Sequence, residues 1–188
     1  MAKDETKRED KALAEYGIIY LSGEINNSSA ETVCREIIEH NIKGDVNQMQ
    51  LIINSPGGVC SAGFSIIDIM EWSRIPIYTT GLGMIASMGL LIFMTGESGR
   101  RVITSRTSVL SHRFAAMNAG NHSQLIAGRK EEDMMHERVV HHYETYSNVK
   151  DRAELESYLL RDVDTWLTPE EAVQYGLADI VEPTRKRA

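Results

Sequence analysis

The chain has 188 residues, with 20 Lys plus Arg against 27 Asp plus Glu, a formal net charge of −7, 42% hydrophobic and 25% charged residues. That is the balance of a soluble globular protein, and it excludes a disordered chain, a collagen-like repeat and a coiled coil. The length fits one domain, and the acidic excess argues against a nucleic-acid binder, whose phosphate affinity would come from Lys and Arg.

Met1 to Lys11 carries eight charged residues and no apolar stretch, so no secretory signal is expected and the protein is placed in the cytoplasm. The expected organisation is a charged N-terminal segment over 1–15, one domain over 16–182, and a short basic tail over 183–188 carrying Arg185, Lys186 and Arg187. Cys34 and Cys60 fall inside expected packed elements, which favours a reducing compartment and core thiols.

Ile18 to Leu21 reads as a first strand closed by Ser22-Gly23. Ser28 and Glu31 have capping-box spacing, so a helix is expected to start there, burying Ala30, Val33, Cys34, Ile37 and Ile38. Met49 to Ile53 is the second strand, ended by the turn Asn54-Ser55-Pro56-Gly57-Gly58. A deeply buried helix follows over about Ser61 to Ser73.

Ile75 to Gly96 is a 22-residue uncharged run, long enough to cross a bilayer. Pro76, Thr79-Thr80 and the glycines at 81, 83, 89 and 96 divide it instead into a strand over Ile75 to Thr80, a turn at Gly81-Leu82-Gly83 and a short apolar helix over Ala86 to Met94, so no membrane span is expected. Strands over Arg101 to Thr104 and Thr107 to His112, and a long polar helix over His122 to Ser147, come next. Two more helices close the chain, the last capped by Thr168 and Glu171 with Pro169 at its first position and Gly176 at its end, before Leu177 to Val181. Alternation of strands and helices predicts parallel crossover units and an α/β fold.

Sites in such sheets form beyond the carboxyl ends of strands, which directs attention to the loops after Ile53 and Thr80. In Gly83-Met84-Ile85-Ala86-Ser87-Met88-Gly89 a lone hydroxyl stands where strand passes into helix. Ser87 there is either an ordinary N-cap or a nucleophile beside free backbone N–H groups that could hold an oxyanion. Gly57-Gly58 is either a tight turn or a second such donor. A serine nucleophile needs a base, and His112 is the histidine at a strand end. His40, His122, His136, His141 and His142 read as solvated imidazoles on helix faces. Asp162 and Asp164 are both candidates for an orienting carboxylate, and spacing does not choose between them.

His136 to His141 is one residue too long for a helical zinc pair, so no metal is assigned, and no cofactor. No phosphate-binding loop of the form Gly-x-x-x-x-Gly-Lys-Ser/Thr occurs, so ATP is not expected to be hydrolysed by this chain.

Taken together, Asn54-Ser55-Pro56-Gly57-Gly58, Gly83 to Gly89 and the block from Asp164 to Asp179 resemble, in order, the motifs of the proteolytic subunits of the Clp protease family (ClpP), over about Tyr16 to Val181. The resemblance implies a crotonase-like α/β fold of repeated β-β-α crossover units with a long handle helix, and a serine endopeptidase. By position it implies Ser87 as nucleophile, His112 as base and acid, Asp164 as orienting carboxylate, Gly58 and Met88 as oxyanion donors, and Gly57, Val59 and Phe114 as substrate-binding residues. It further implies peptide or unfolded-protein substrates, a homo-oligomer (heptamer or stacked double heptamer), a hexameric Clp-type ATPase as partner, and a pore-gating role for the N-terminal segment.

The chain departs from the family pattern at Arg113-Phe114, where Gln-Pro is usual, at Ala115 to Asn121, which replaces a glycine-rich stretch, and at Val163, where arginine is usual. Gln50, Ile52 and Val102 stand where the family offers aromatic residues to ATPase docking loops. These departures keep a second reading in view, a non-catalytic ring subunit that modulates an active paralogue. A third is an acyl-CoA enzyme of the crotonase fold, in which Ser87, His112 and Asp164 would have no role.

Overall fold

In the longer strands positions alternate between core and surface over most of their length, and this period of two sets which face of the sheet the helices cover. The computed structural model describes residues 13–183; the first twelve residues and 184–188 lie outside the described residues, and with them most of the N-terminal segment and the basic run of the tail. Strands β1 (Ile18–Ser22), β2 (Met49–Ser55), β3 (Ile77–Ala86), β4 (Arg101–Thr104) and β7 (Ile180–Glu182) lie side by side in a parallel sheet in that order. β5 (Ser108–Ser111) joins it parallel to the second half of β3, and β6 (Thr165–Leu167) pairs antiparallel with β5. This is the α/β architecture expected from the sequence.

Gly81-Leu82-Gly83 is not a turn out of the sheet. β3 runs through it and changes partner there, pairing with β4 up to Gly81 and with β5 from Met84. Gly83 takes a φ of +62°, which glycine adopts without strain, and the Asn54 side chain accepts the Met84 N–H at 3.3 Å across the bend. The chain thereby swings the end of β3, and Ser87 beyond it, onto β5.

Helix α1 (Asn27–Lys43) is capped by Asn26, whose side chain accepts from the N–H groups of Ser28 and Ser29 while Ser29 returns a bond to Asn26. The expected Ser28–Glu31 box is therefore displaced by two residues. α1 buries Ala30, Val33 and Ile37, α2 (Cys60–Trp72) buries Ile66, Ile67 and Met70, and every residue of α3 (Met88–Met94) is buried. Helix α4 (His122–Tyr146) is capped by Asn121 and buries only Val139, Val140, His142 and Tyr143 near its end, so most of its length stands clear of the core as a handle. α5 (Arg152–Tyr158) and α6 (Pro169–Gln174) follow, the latter with the expected Thr168–Glu171 capping box.

One contiguous apolar core runs from Ile19 to Ala178. Arg101 and Asp179 tie β4 to the end of the chain through two bonds of 3.0 and 2.6 Å, and Arg101 also donates to the Tyr146 carbonyl at 2.7 Å. Burial alone would raise the Asp179 carboxyl pKa, but the Arg101 fork outweighs it and holds the group below its ordinary value. Asp179, part of the terminal motif, is thus explained by architecture.

The more exposed face of the sheet mixes apolar and polar side chains. Tyr20, Ile52, Thr80, Val102 and Ile180 form one row in register across five strands, and Gln50 sits in the next row, bonded to Thr80 Oγ1 at 2.8 Å. Among the described residues no helix is long and apolar enough to cross a membrane; Ile75 to Gly96 forms β3 and α3 instead.

Candidate active site

The turn after β2 is sewn to the segment before α1. Ile25 donates to the Gly57 carbonyl and the Val59 N–H donates to the Ile25 carbonyl, both at 2.8 Å. Ser55 Oγ is buried beneath them, donating to the Gly23 carbonyl at 2.6 Å and accepting the Gly57 N–H at 3.1 Å. A strand that bonds a neighbour through residues 57 and 59 turns the N–H of residue 58 the other way. Among the described residues, no hydrogen bond from the Gly58 or Met88 N–H joins the contacts that tie these loops.

Both glycines are required by space as well as by φ (+93° and +149°). A Cβ on Gly57 would lie 2.6 Å from Ser87 Cβ, and one on Gly58 would lie 2.2 Å from the Ile25 carbonyl oxygen. The glycine segment therefore passes in direct contact with Ser87.

Ser87 has φ +54° and ψ −124°, and it is the one non-glycine residue with positive φ among the described residues. Such a conformation costs on the order of 1–3 kcal/mol and persists only where the surroundings enforce it. The enforcement is visible: Ser87 N–H donates to the Leu110 carbonyl of β5 at 3.0 Å, and its own carbonyl accepts from Leu90 and Leu91 at 3.0 and 3.2 Å. Ser87 occupies the N-cap position of α3, yet its side chain makes no capping bond. The ordinary explanation for a serine at a helix start is thereby removed.

His112 follows β5, whose last residue is anchored. Ser111 Oγ lies 2.6 Å from Tyr143 OH and donates to the Leu159 carbonyl at 2.6 Å, in full burial. His112 Nδ1 lies 3.6 Å from Asp164 Oδ1, an electrostatic contact rather than a hydrogen bond, and its Nε2 is buried with no partner. The bond from the imidazole to the Ser87 hydroxyl is open.

Ser87, Met88, His112 and Phe114 line one cavity of about 20 Å³, completed by Cys60, Leu91 and Val139. The structure therefore brings together Ser87, Met88, His112 and Phe114, with Gly57 against the serine and Asp164 on the other side of the imidazole. Val59 is exposed and does not line this cavity. Asp162 is separated from Asp164 by its partner, pairing with Arg113 at 3.2 Å. A larger cavity, about 480 Å³ between α2 and α4, contains none of these residues. An extended peptide needs a groove rather than an enclosed hole, so size is a poor guide here.

Several contributors had no signal in the sequence. Cys60 reads as a core thiol but is half-buried at the cavity wall, where burial pushes its thiol pKa up, away from the reactive thiolate. His142, expected on a solvated face, is buried with Nε2 2.9 Å from the Leu91 carbonyl, and burial lowers its pKa to about 4. It is a neutral packing group that joins α4 to the helix following Ser87. His40 is likewise buried, 2.7 Å from Asp45. Tyr143 needed the fold to reveal its link to Ser111.

Sequence comparison bears on what this arrangement is. The proteolytic subunit of the ATP-dependent Clp protease of Deinococcus radiodurans is 28% identical over 172 residues, covering 90% of this chain and 82% of the relative. Residues 2–185 match the family described as Clp protease. With nearly its whole length matched, the chain belongs to the Clp protease family.

Proposed function

We propose that the chain is a serine endopeptidase subunit that cleaves peptide bonds through Ser87, His112 and Asp164. The observation that carries this is the strained strand-to-helix turn whose hydroxyl makes no capping bond and shares a cavity with the unpartnered Nε2 of His112. Ser87 Oγ attacks the peptide carbonyl while His112 Nε2 takes its proton, and the oxyanion is received by the N–H groups of Gly58 and Met88. His112 then gives the proton to the leaving amine, and water, deprotonated by the same nitrogen, releases the acyl group from the serine. Asp164 holds the imidazole tautomer; its 3.6 Å contact shortens to a hydrogen bond when substrate orders the site, as is common for catalytic bonds that are long before binding.

Substrates are unfolded proteins or peptides, and the working form is a ring, a heptamer or stacked double heptamer in the cytoplasm. A hexameric Clp-type ATPase supplies unfolding. The ATPase docks on the outer face of the sheet, where Tyr20, half exposed opposite Ile52, supplies an aromatic ring in the same row as Ile52 and Val102.

Turnover of a fluorogenic peptide by the purified, assembled chain tests the proposal. Hydrolysis that falls at least about a thousandfold in Ser87→Ala is the expected result. No hydrolysis by a folded assembly, or equal hydrolysis by the variant, contradicts it and returns the chain to the reading of a modulating ring subunit.

A further inference from the structure

The segment leading into β6 offers two carboxylates to the chain leaving β5, and each has a different partner. Asp164 faces His112, and Asp162 is held by Arg113, Nη1 to Oδ1 at 3.2 Å. The two segments are also tied through the main chain, the backbone N–H of Arg113 donating to the Arg161 carbonyl at 3.2 Å, a bond that does not depend on the side chain. His112 has only the 3.6 Å contact. We infer that Arg113 is a positioning residue: its side chain keeps Asp162 engaged, so that Asp164 alone faces the imidazole. This rests on the proposed roles of Ser87, His112 and Asp164.

The surrounding charges make the pairing selective. On the α4 side of Arg113, Glu132 and Asp133 are held by Arg129, and on the α5 side Glu156 is held by Arg152 and His136. Asp162 has no ion-pair partner other than Arg113 among the described residues. Released, it becomes a free carboxylate two residues from Asp164, which faces His112. An imidazole pulled toward the wrong carboxylate turns Nε2 out of the cavity it shares with Ser87, and displacements near 1 Å cost about a hundredfold in rate. The ion pair is exposed on the Asp162 side, so its removal should leave stability nearly unchanged.

Three variants test this: Arg113→Ala, Asp162→Asn and the double variant, compared by peptide kcat, KM and thermal melting. Arg113→Ala should lose about tenfold or more in kcat with KM and melting temperature nearly unchanged. Asp162→Asn should stay near wild type, and the double variant should recover to within about threefold of it, because the competing carboxylate is gone. A double variant as slow as Arg113→Ala, a loss confined to KM, or no loss in Arg113→Ala would overturn the inference. If the wild type shows no peptidase activity, the catalytic reading fails, and a crystal structure of Arg113→Ala decides the inference separately. Asp162 turned onto His112 Nδ1 supports it; Asp162 in solvent with the His112–Asp164 contact unchanged contradicts it.

Discussion

Around Ser87 the backbone is packed so closely that a methyl group fits on neither Gly57 nor Gly58, whereas around His112 the chain is tied by a few side-chain bonds and leaves polar atoms without partners. The buried side-chain atoms lacking a partner among the described residues are His112 Nε2, Arg113 Nε and Thr165 Oγ1, all at the β5–β6 end. The contrast teaches how the labour is divided. Core packing over-determines the turn at Ser87 and stores its strain. In the proposed mechanism the imidazole arm is completed by substrate, and its geometry depends on local charges.

That difference is open to attack from both sides. The largest effect is expected at Gly58→Ala, which drives a Cβ to within 2.2 Å of a backbone oxygen at a φ of +149°. It should destabilise the fold by about 3 kcal/mol or more and abolish activity, read by denaturant unfolding and peptide turnover. Wild-type stability in this variant would show that the turn is not over-determined. Next comes Asp164→Asn, on the loose side. Turnover should fall by about a hundredfold or more while unfolding free energy changes by less than about 0.5 kcal/mol. A large stability loss there would erase the contrast between the two regions.

The third effect is on the packed side and depends on pH. His142 has a native pKa lowered to about 4 by burial, against about 6.5 when unfolded. Its contribution is fully present above pH 6.5 and is lost as pH falls toward 4, because the unfolded chain binds a proton that the native chain refuses. The loss approaches about 3 kcal/mol at most. Urea melts at pH 7 and pH 4.5 should show it, and His142→Gln should shrink the difference; equal pH sensitivity in the variant would relieve His142 of this role.

How much of this was legible beforehand varies by element. The Thr168–Glu171 box with Pro169 is read correctly because all its bonds are local. The same pattern at Ser28 misleads, since Asn26 and Ser29 satisfy the same orphan N–H groups two residues earlier. Gly81 to Gly83 look like a turn because glycine permits one; that β3 continues and exchanges β4 for β5 is decided by pairing with strands 20 to 30 residues on, which no local signal carries. At the site, Ser87, His112 and the glycine pair stand out as residue types at strand ends. The proposed choice of Asp164 over Asp162 rests on family likeness and on contacts between distant segments, because two aspartates two apart look alike until Arg113 is seen beside one of them and His112 beside the other.

In the proposed mechanism the Ser87 hydroxyl is the reactive nucleophile of this chain. Treating the assembled protein with a fluorophosphonate and measuring intact mass, followed by peptide mapping, addresses it directly. One adduct per chain, located on Ser87 and absent from Ser87→Ala, is the expected result; an unmodified, folded assembly, or labelling that persists in Ser87→Ala, would contradict it.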